Sequence, residues 1–110
     1  MKVLITGSEG FIWQNLIKLL KKNNLKVIGI HRNKKKSKLK YENFSLNLLK
    51  KIDIKKLNNS EVDFVIHLAG ITEHNKIIKS KKFLSDTKKI LENTLEISKK
   101  LKCKYFIYAS

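Results

Sequence analysis

Residues 1–16 read MKVLITGSEGFIWQNL. A continuous apolar run with β-branched residues, 2–6, enters a turn that holds Gly7 and Gly10. The chain leaves that turn into a segment with Ile12, Leu16, Leu19 and Leu20 at helical spacing. Strand, glycine turn and helix in this order form a βα unit whose turn is suited to an anion. Gly7 permits the tight turn, and Gly10 lets the backbone come close to a pyrophosphate. The free N–H groups and the dipole of the helix start then face the negative charge. A two-glycine βα turn without any ligand has the same spacing, so the turn alone leaves both readings open. The full pattern is G-x-x-G-x-x-W, with Trp13 where a third glycine would let helix and strand pack closely. An indole there is expected to push the helix off the sheet or to turn outward, at some cost to cofactor binding; a tolerated local repacking is the other reading. Overpacking a tight contact typically costs about 1–3 kcal/mol. Trp13→Gly is therefore expected to tighten dinucleotide binding and raise thermal stability together.

Outward from this unit the alternation continues. Residues 26–30, KVIGI, form a second buried strand after the Asn23-Asn24 break. Residues 31–40 read as a basic loop or a frayed helix start, and 41–46 as a weaker third strand. Residues 49–58 allow a short helix. VDFVIHLAG, 62–70, is a fourth strand running into a small-residue turn, and 71–80 are loop-like. A longer helix over 82–101 carries Phe83, Thr87, Ile90, Thr94, Ile97 and Leu101 on one stripe. KYFIYAS, 104–110, is a fifth strand. Repeated β–α alternation predicts an α/β fold, a Rossmann-type parallel sheet with helices on both faces, in spatial order 3-2-1-4-5.

With 110 residues the chain has room for one domain, 1–110. Its single cysteine, Cys103, rules out an internal disulfide framework and suits a reducing, cytoplasmic setting. The apolar run before Gly7 is short for a secretory signal, and no segment is apolar enough to span a bilayer. The formal charge is +16. Such a balance fits a nucleic-acid or anionic-surface partner in principle. The cations are nearly all lysines spread along the chain, and Arg32 is the only arginine. Arginine is the better bidentate reader of phosphates and bases, so the charge reads as a solvated lysine surface rather than a nucleic-acid footprint.

The second strand ends at His31-Arg32. An acidic side chain there would hold the ribose hydroxyls of NAD, and none is present. Arg32, followed by the lysines of 34–40, instead offers charge to a 2′-phosphate; a solvated basic loop has the same sequence. His67 lies in an apolar strand and reads as a satisfied core histidine rather than a base. His74 has no partner at metal-ligand spacing, and no metal site is expected.

MKVLITGSEGFI, VDFVIHLAG and LEISKKLKCKYFIYAS, in this order and spacing, resemble the front part of the extended short-chain dehydrogenase/reductase family, the NAD(P)-dependent epimerase/dehydratase group that acts on nucleotide sugars. The resemblance covers essentially the whole chain. It implies that the backbone at Phe11 and Ile12 meets the pyrophosphate, after the turn glycines Gly7 and Gly10. It implies that the position of His31 is usually acidic in NAD users, and that a following arginine, here Arg32, goes with NADP. The family's Asp-hydrophobic pair beside the adenine falls on Asn47 and Leu48, with amide in place of carboxylate. Leu68, Ala69 and Gly70 match the turn that lines the adenosine ribose and the nicotinamide side. A family asparagine on the long helix falls on Thr87, and Ser110 matches the first serine of a Y-A-S-S segment.

In the family, a Tyr-x-x-x-Lys pair supplies the general base and the lysine that lowers its pKa. No tyrosine of this chain has lysine four residues later: Tyr41 is followed at that spacing by Ser45, and Tyr105 by Ala109. The expectation is an NAD(P)-binding portion of a nucleotide-sugar epimerase, dehydratase or reductase, with the catalytic and substrate-binding part absent. It binds a dinucleotide, leaning to NADP, has no catalytic residues, and is inactive alone. A nucleotide sugar is its partner only in a longer form. The rival readings are a non-catalytic NADP(H)-binding or sensor module and a basic nucleic-acid binder.

Overall fold

The computed structural model describes residues 1–7, 11–31, 41–57, 61–68 and 81–108. β1 (Lys2–Thr6) is the central strand, and Val3, Leu4, Ile5 and Thr6 are all buried. A strand covered on both faces needs apolar side chains at successive positions, which is what the run supplies. β2 (Lys26–His31) and β4 (Phe64–His67) pair with β1 on its two sides. β3 (Glu42–Ser45) adds outside β2, and β5 (Tyr105–Tyr108) outside β4. All four pairings are parallel, and the order is β3-β2-β1-β4-β5. This is the predicted order.

Alternation along the strands sorts the core into two layers. Val3, Ile5 and Val27 face α1 (Phe11–Lys22) and pack with its Trp13 and Ile17. Leu4, Ile28, Ile30 and Val65 face the other way. They pack with Ile97 and Leu101, at and just beyond the end of α2 (Lys81–Lys100), and with Leu48, Ile52, Leu57 and Val62. The helices therefore cover opposite faces of the sheet. Both end alike. Asn24 takes φ 61°, its N–H bonds to the Lys21 carbonyl, and Leu25 N–H reaches back to Leu20. Lys102 takes φ 57°, with the matching bonds from Lys102 to Lys99 and from Cys103 to Ser98. Each is a left-handed cap that satisfies carbonyls left open at a helix end.

Two expectations need correction. The short helix expected over 49–58 is only a single 3-10 turn, Ile54–Leu57. Side chains there compete with helical hydrogen bonds: Asn47 Oδ1 accepts from Leu49 N–H and Asp53 Oδ1 from Lys55 N–H, both at 3.0 Å. The second correction is Trp13. Its side chain does not turn outward. It is 1% exposed, among the most buried large residues described, and meets the Tyr41 ring at a tilt of 55° with centroids 4.9 Å apart. The room comes from the sheet. Val27 is on the α1 face, so Gly29 and His31 share that face, and Gly29 puts no side chain into it.

Candidate functional site

The carboxyl ends of the strands lie in register. Thr6 is opposite Ile30 and His67, His31 is opposite Ser45, and His67 is opposite Tyr108. One edge of the sheet thus gathers the ends of all five strands and the start of α1. Gly7 sits at that edge with φ 76°, a left-handed backbone that a side chain would disfavour. Its N–H is held by the Ile30 carbonyl at 3.0 Å, which ties the turn to the end of β2. α1 begins at Phe11, so its first N–H groups open at the same edge as Gly7. In open parallel sheets this crevice, at the strand where the order reverses, is where ligands bind.

The predicted site residues distribute as follows. Gly7, Phe11, Ile12, His31, Asn47, Leu48, Leu68 and Thr87 lie among the described residues, the first four at or next to the turn and the end of β2. Gly10, Arg32, Ala69, Gly70 and Ser110 lie outside them. Leu68 N–H bonds to the Thr6 carbonyl at 3.1 Å, so the end of β4 runs directly past the glycine turn. Asn47 spends its Oδ1 on the Leu49 N–H. Leu48 is buried in the core, and its carbonyl accepts from Asn93 Nδ2 at 2.7 Å, anchoring the segment after β3 to α2. Thr87 is half-buried on α2, and its Oγ1 is buried without a hydrogen-bond partner among the described residues.

Sequence reasoning missed two polar pairs. Thr6 Oγ1 and His67 Nδ1 share a buried hydrogen bond of 2.6 Å across β1 and β4, one residue before Gly7. Burial lowers the His67 pKa to about 4, so the ring is neutral at neutral pH. It also lies against Phe106 and Tyr108. His67 is the satisfied core histidine expected. The second pair is His31 Nε2 and Asn43 Oδ1, 3.0 Å apart. Its only sequence signal was a polar residue on a strand beside a buried one, and the β2–β3 register was needed to join them. Among the described residues no cluster of histidine, cysteine or carboxylate side chains is able to hold a metal ion. No described helix is long and apolar enough to cross a membrane.

Residues 3–110 match the NAD dependent epimerase/dehydratase family. The chain belongs to this family. No curated protein matches it in sequence. Solved structures with the same fold include the UDP-glucose 4-epimerase of Thermotoga maritima, 22% identical with a TM-score of 0.84 over 100% of this chain and 38% of that one. The UDP-glucose 4-epimerase of Bifidobacterium longum, solved with NAD+ and UDP, is 20% identical with a TM-score of 0.81, over 100% of this chain and 37% of that one. The Helicobacter pylori ADP-L-glycero-D-manno-heptose-6-epimerase is 24% identical with a TM-score of 0.77, over 99% and 38%. The chain thus spans a little over a third of the length of these structures. The family's dinucleotide-binding fold is the part it matches.

Proposed function

We propose that this chain binds a nicotinamide dinucleotide at the carboxyl edge of its sheet and does the cofactor-binding work of a nucleotide-sugar epimerase, dehydratase or reductase. The observation that carries the reading is the turn at Gly7. A residue with φ 76° at the end of the central strand, followed by a helix start, builds a backbone anion site where the strand order reverses. The pyrophosphate takes the N–H groups at the start of α1, over Gly10, Phe11 and Ile12. The adenosine ribose lies at the end of β2, by His31 and Arg32. The adenine lies toward Asn47 and Leu48, and the nicotinamide side toward Leu68, Ala69, Gly70, Thr87 and Ser110.

The residues present fit the cofactor. The turn opens with a glycine in a left-handed backbone that a side chain would disfavour, and a buried polar atom at the end of β2 lacks a partner among the described residues. The bound nicotinamide supplies hydride transfer to and from a substrate carbon. The chain's own part is to bind and orient. The Thr6–His67 hydrogen bond fixes the strand ends that flank the turn. Proton transfer requires a positioned acid or base within reach of a substrate hydroxyl, and no Tyr-x-x-x-Lys pair is present in these 110 residues. The chain alone therefore binds without turning over.

Between the two dinucleotides the end of β2 pulls both ways. The charge of Arg32 and the lysines of 34–40 favours a 2′-phosphate, whereas the imidazole of His31 favours a hydroxyl. Calorimetric titration of the 110-residue protein with NAD+ and NADP+ tests the reading. Saturable one-site binding of at least one, weakened by Gly7→Val, is expected, with no NAD(P)H turnover on nucleotide sugars. Absence of binding by both contradicts it.

A further inference from the structure

We propose that the amino edge of the sheet carries a ligand site of its own, a cleft among the starts of β1, β2 and β3 and the end of α1 that takes a small organic phosphate with an apolar or aromatic body. The site lies a full strand length from the glycine turn, at the opposite ends of β1 and β2, and does not rest on the cofactor reading.

The cleft has a volume of about 280 Å³. Lys2, Lys21 and Lys26 line it, with Glu42 as its single carboxylate, so positive charge is in excess there. Lys2 and Lys26 are direct partners in the β1–β2 register, and like charges side by side on neighbouring strands are destabilising. None of the three lysines forms an ion pair with a described carboxylate, whereas Lys88, Lys100, Lys102 and Lys104 each do. Asp63 does not answer them: one oxygen accepts from the Lys2 backbone N–H and the other faces Lys104. Nor does the end of α1, where the Leu19, Leu20 and Lys21 carbonyls accept from Asn23, Leu25 and Asn24. A bound anion relieves the repulsion that the protein leaves in place.

The chemistry of the lining narrows the anion. A phosphate monoester carries about −1.5 to −2 charges at neutral pH and three acceptor oxygens, one for each ammonium. A carboxylate has one charge and two oxygens. Glu42 opposes a second acidic group, so the body of the ligand is uncharged. That body meets Leu25, Val27 and Tyr41. All three pack in the α1 layer of the core, and Tyr41 is held against Trp13 with ring centroids 4.9 Å apart. The apolar wall is therefore fixed before a ligand arrives. Pockets for drug-sized ligands start at about 300 Å³, so this cleft fits a compact molecule and not a dinucleotide.

The test is a titration of the 110-residue protein with phenyl phosphate, inorganic phosphate and benzyl alcohol. It is read by backbone amide resonances and by the fluorescence of Trp13, the single tryptophan. Phenyl phosphate is expected to shift the Lys2, Lys26 and Glu42 amides saturably and to change the Trp13 emission through Tyr41. It should bind about tenfold more tightly than inorganic phosphate, the low end of what burying a ring is worth, and more weakly as salt rises. Benzyl alcohol, which has the ring without the charge, should not compete, and neither should NAD+. Lys21→Gln and Lys26→Gln should each weaken phenyl phosphate about threefold, the scale of one exposed ion pair, while Lys88→Gln on α2 leaves it unchanged. Tyr41→Leu should bring phenyl phosphate toward inorganic phosphate. Amide shifts confined to Gly7, Phe11 and Leu68 overturn the proposal, because the phosphate then sits at the other edge. Equal affinity for phenyl phosphate and inorganic phosphate overturns it, because the apolar wall is then unused. An equal loss in Lys26→Gln and Lys88→Gln overturns it as well, because the attraction then belongs to the whole lysine surface. The amide map of the unmutated protein locates the ligand whether or not each variant folds.

Discussion

Trp13 occupies the position where the sequence motif asks for a small residue, and the fold accommodates it inside. Its indole is 1% exposed, packs with Val3, Ile5, Ile17 and Val27, and makes a tilted contact with Tyr41. Truncating a buried aromatic costs about 3–5 kcal/mol, and glycine in a helix adds up to about 1 kcal/mol. Trp13→Gly is therefore expected to lower the melting temperature steeply, the reverse of what the motif alone implied. Trp13→Phe keeps the ring and removes a buried N–H that has no partner among the described residues, so it is expected to stay within about 1 kcal/mol of the unmutated protein. Thermal melts of the three proteins side by side check both statements. A Trp13→Gly protein as stable as its parent contradicts the packing account. The sequence carried the information, but in two distant places. Gly29 makes room on the α1 face, and only the β1–β2 register shows that Gly29 and Trp13 share a layer. Gly7, by contrast, was legible at once, because a left-handed turn after a strand has a residue preference of its own.

At the scale of elements, the join between β1 and β4 depends on a neutral histidine. His67 bonds Thr6 at 2.6 Å, and burial holds its pKa near 4 against an ordinary 6.5. The folded protein thus resists a proton that the unfolded chain accepts as pH falls below 6.5. Unfolding then binds more protons than the native state does, so stability is full above 6.5 and declines as pH drops toward 4. The loss expected from this group is about 3 kcal/mol over that window. Urea midpoints measured between neutral pH and pH 4 should fall, and His67→Gln, which does not titrate, should flatten part of the slope. An unchanged slope in the variant would place the acid sensitivity elsewhere. Strands and long helices were readable from periodicity because apolar runs and helical stripes are local signals. The turn region between β3 and β4 was not. Its helical composition is overridden by Asn47 and Asp53, whose side chains bond the backbone two residues on.

At the scale of the whole molecule, the described lysines belong to both helices and to the sheet between them. The described lysines are exposed except for Lys2, which is half-buried, and they lie on both helices and so on both faces of the sheet. The asymmetry that does exist is between the two edges of the sheet. The carboxyl edge has the turn at Gly7, the start of α1, His31 and Leu68; the amino edge begins with Lys2, Lys26 and Glu42. The pattern of the carboxyl edge was legible from the sequence because strand–turn–helix order fixes which ends meet. The hydrogen-bond partners of His31 and His67 were not, because each lies on a neighbouring strand. The dinucleotide proposed above would bind at that edge. The most direct test of this proposal is a titration of the isotope-labelled protein with NAD+, following backbone amide resonances. Saturable shifts are expected at Gly7, Phe11, Ile12, His31 and Leu68, with Lys2, Lys26 and Glu42 unmoved. Shifts confined to the amino edge, or spread evenly over the exposed lysines, would contradict it.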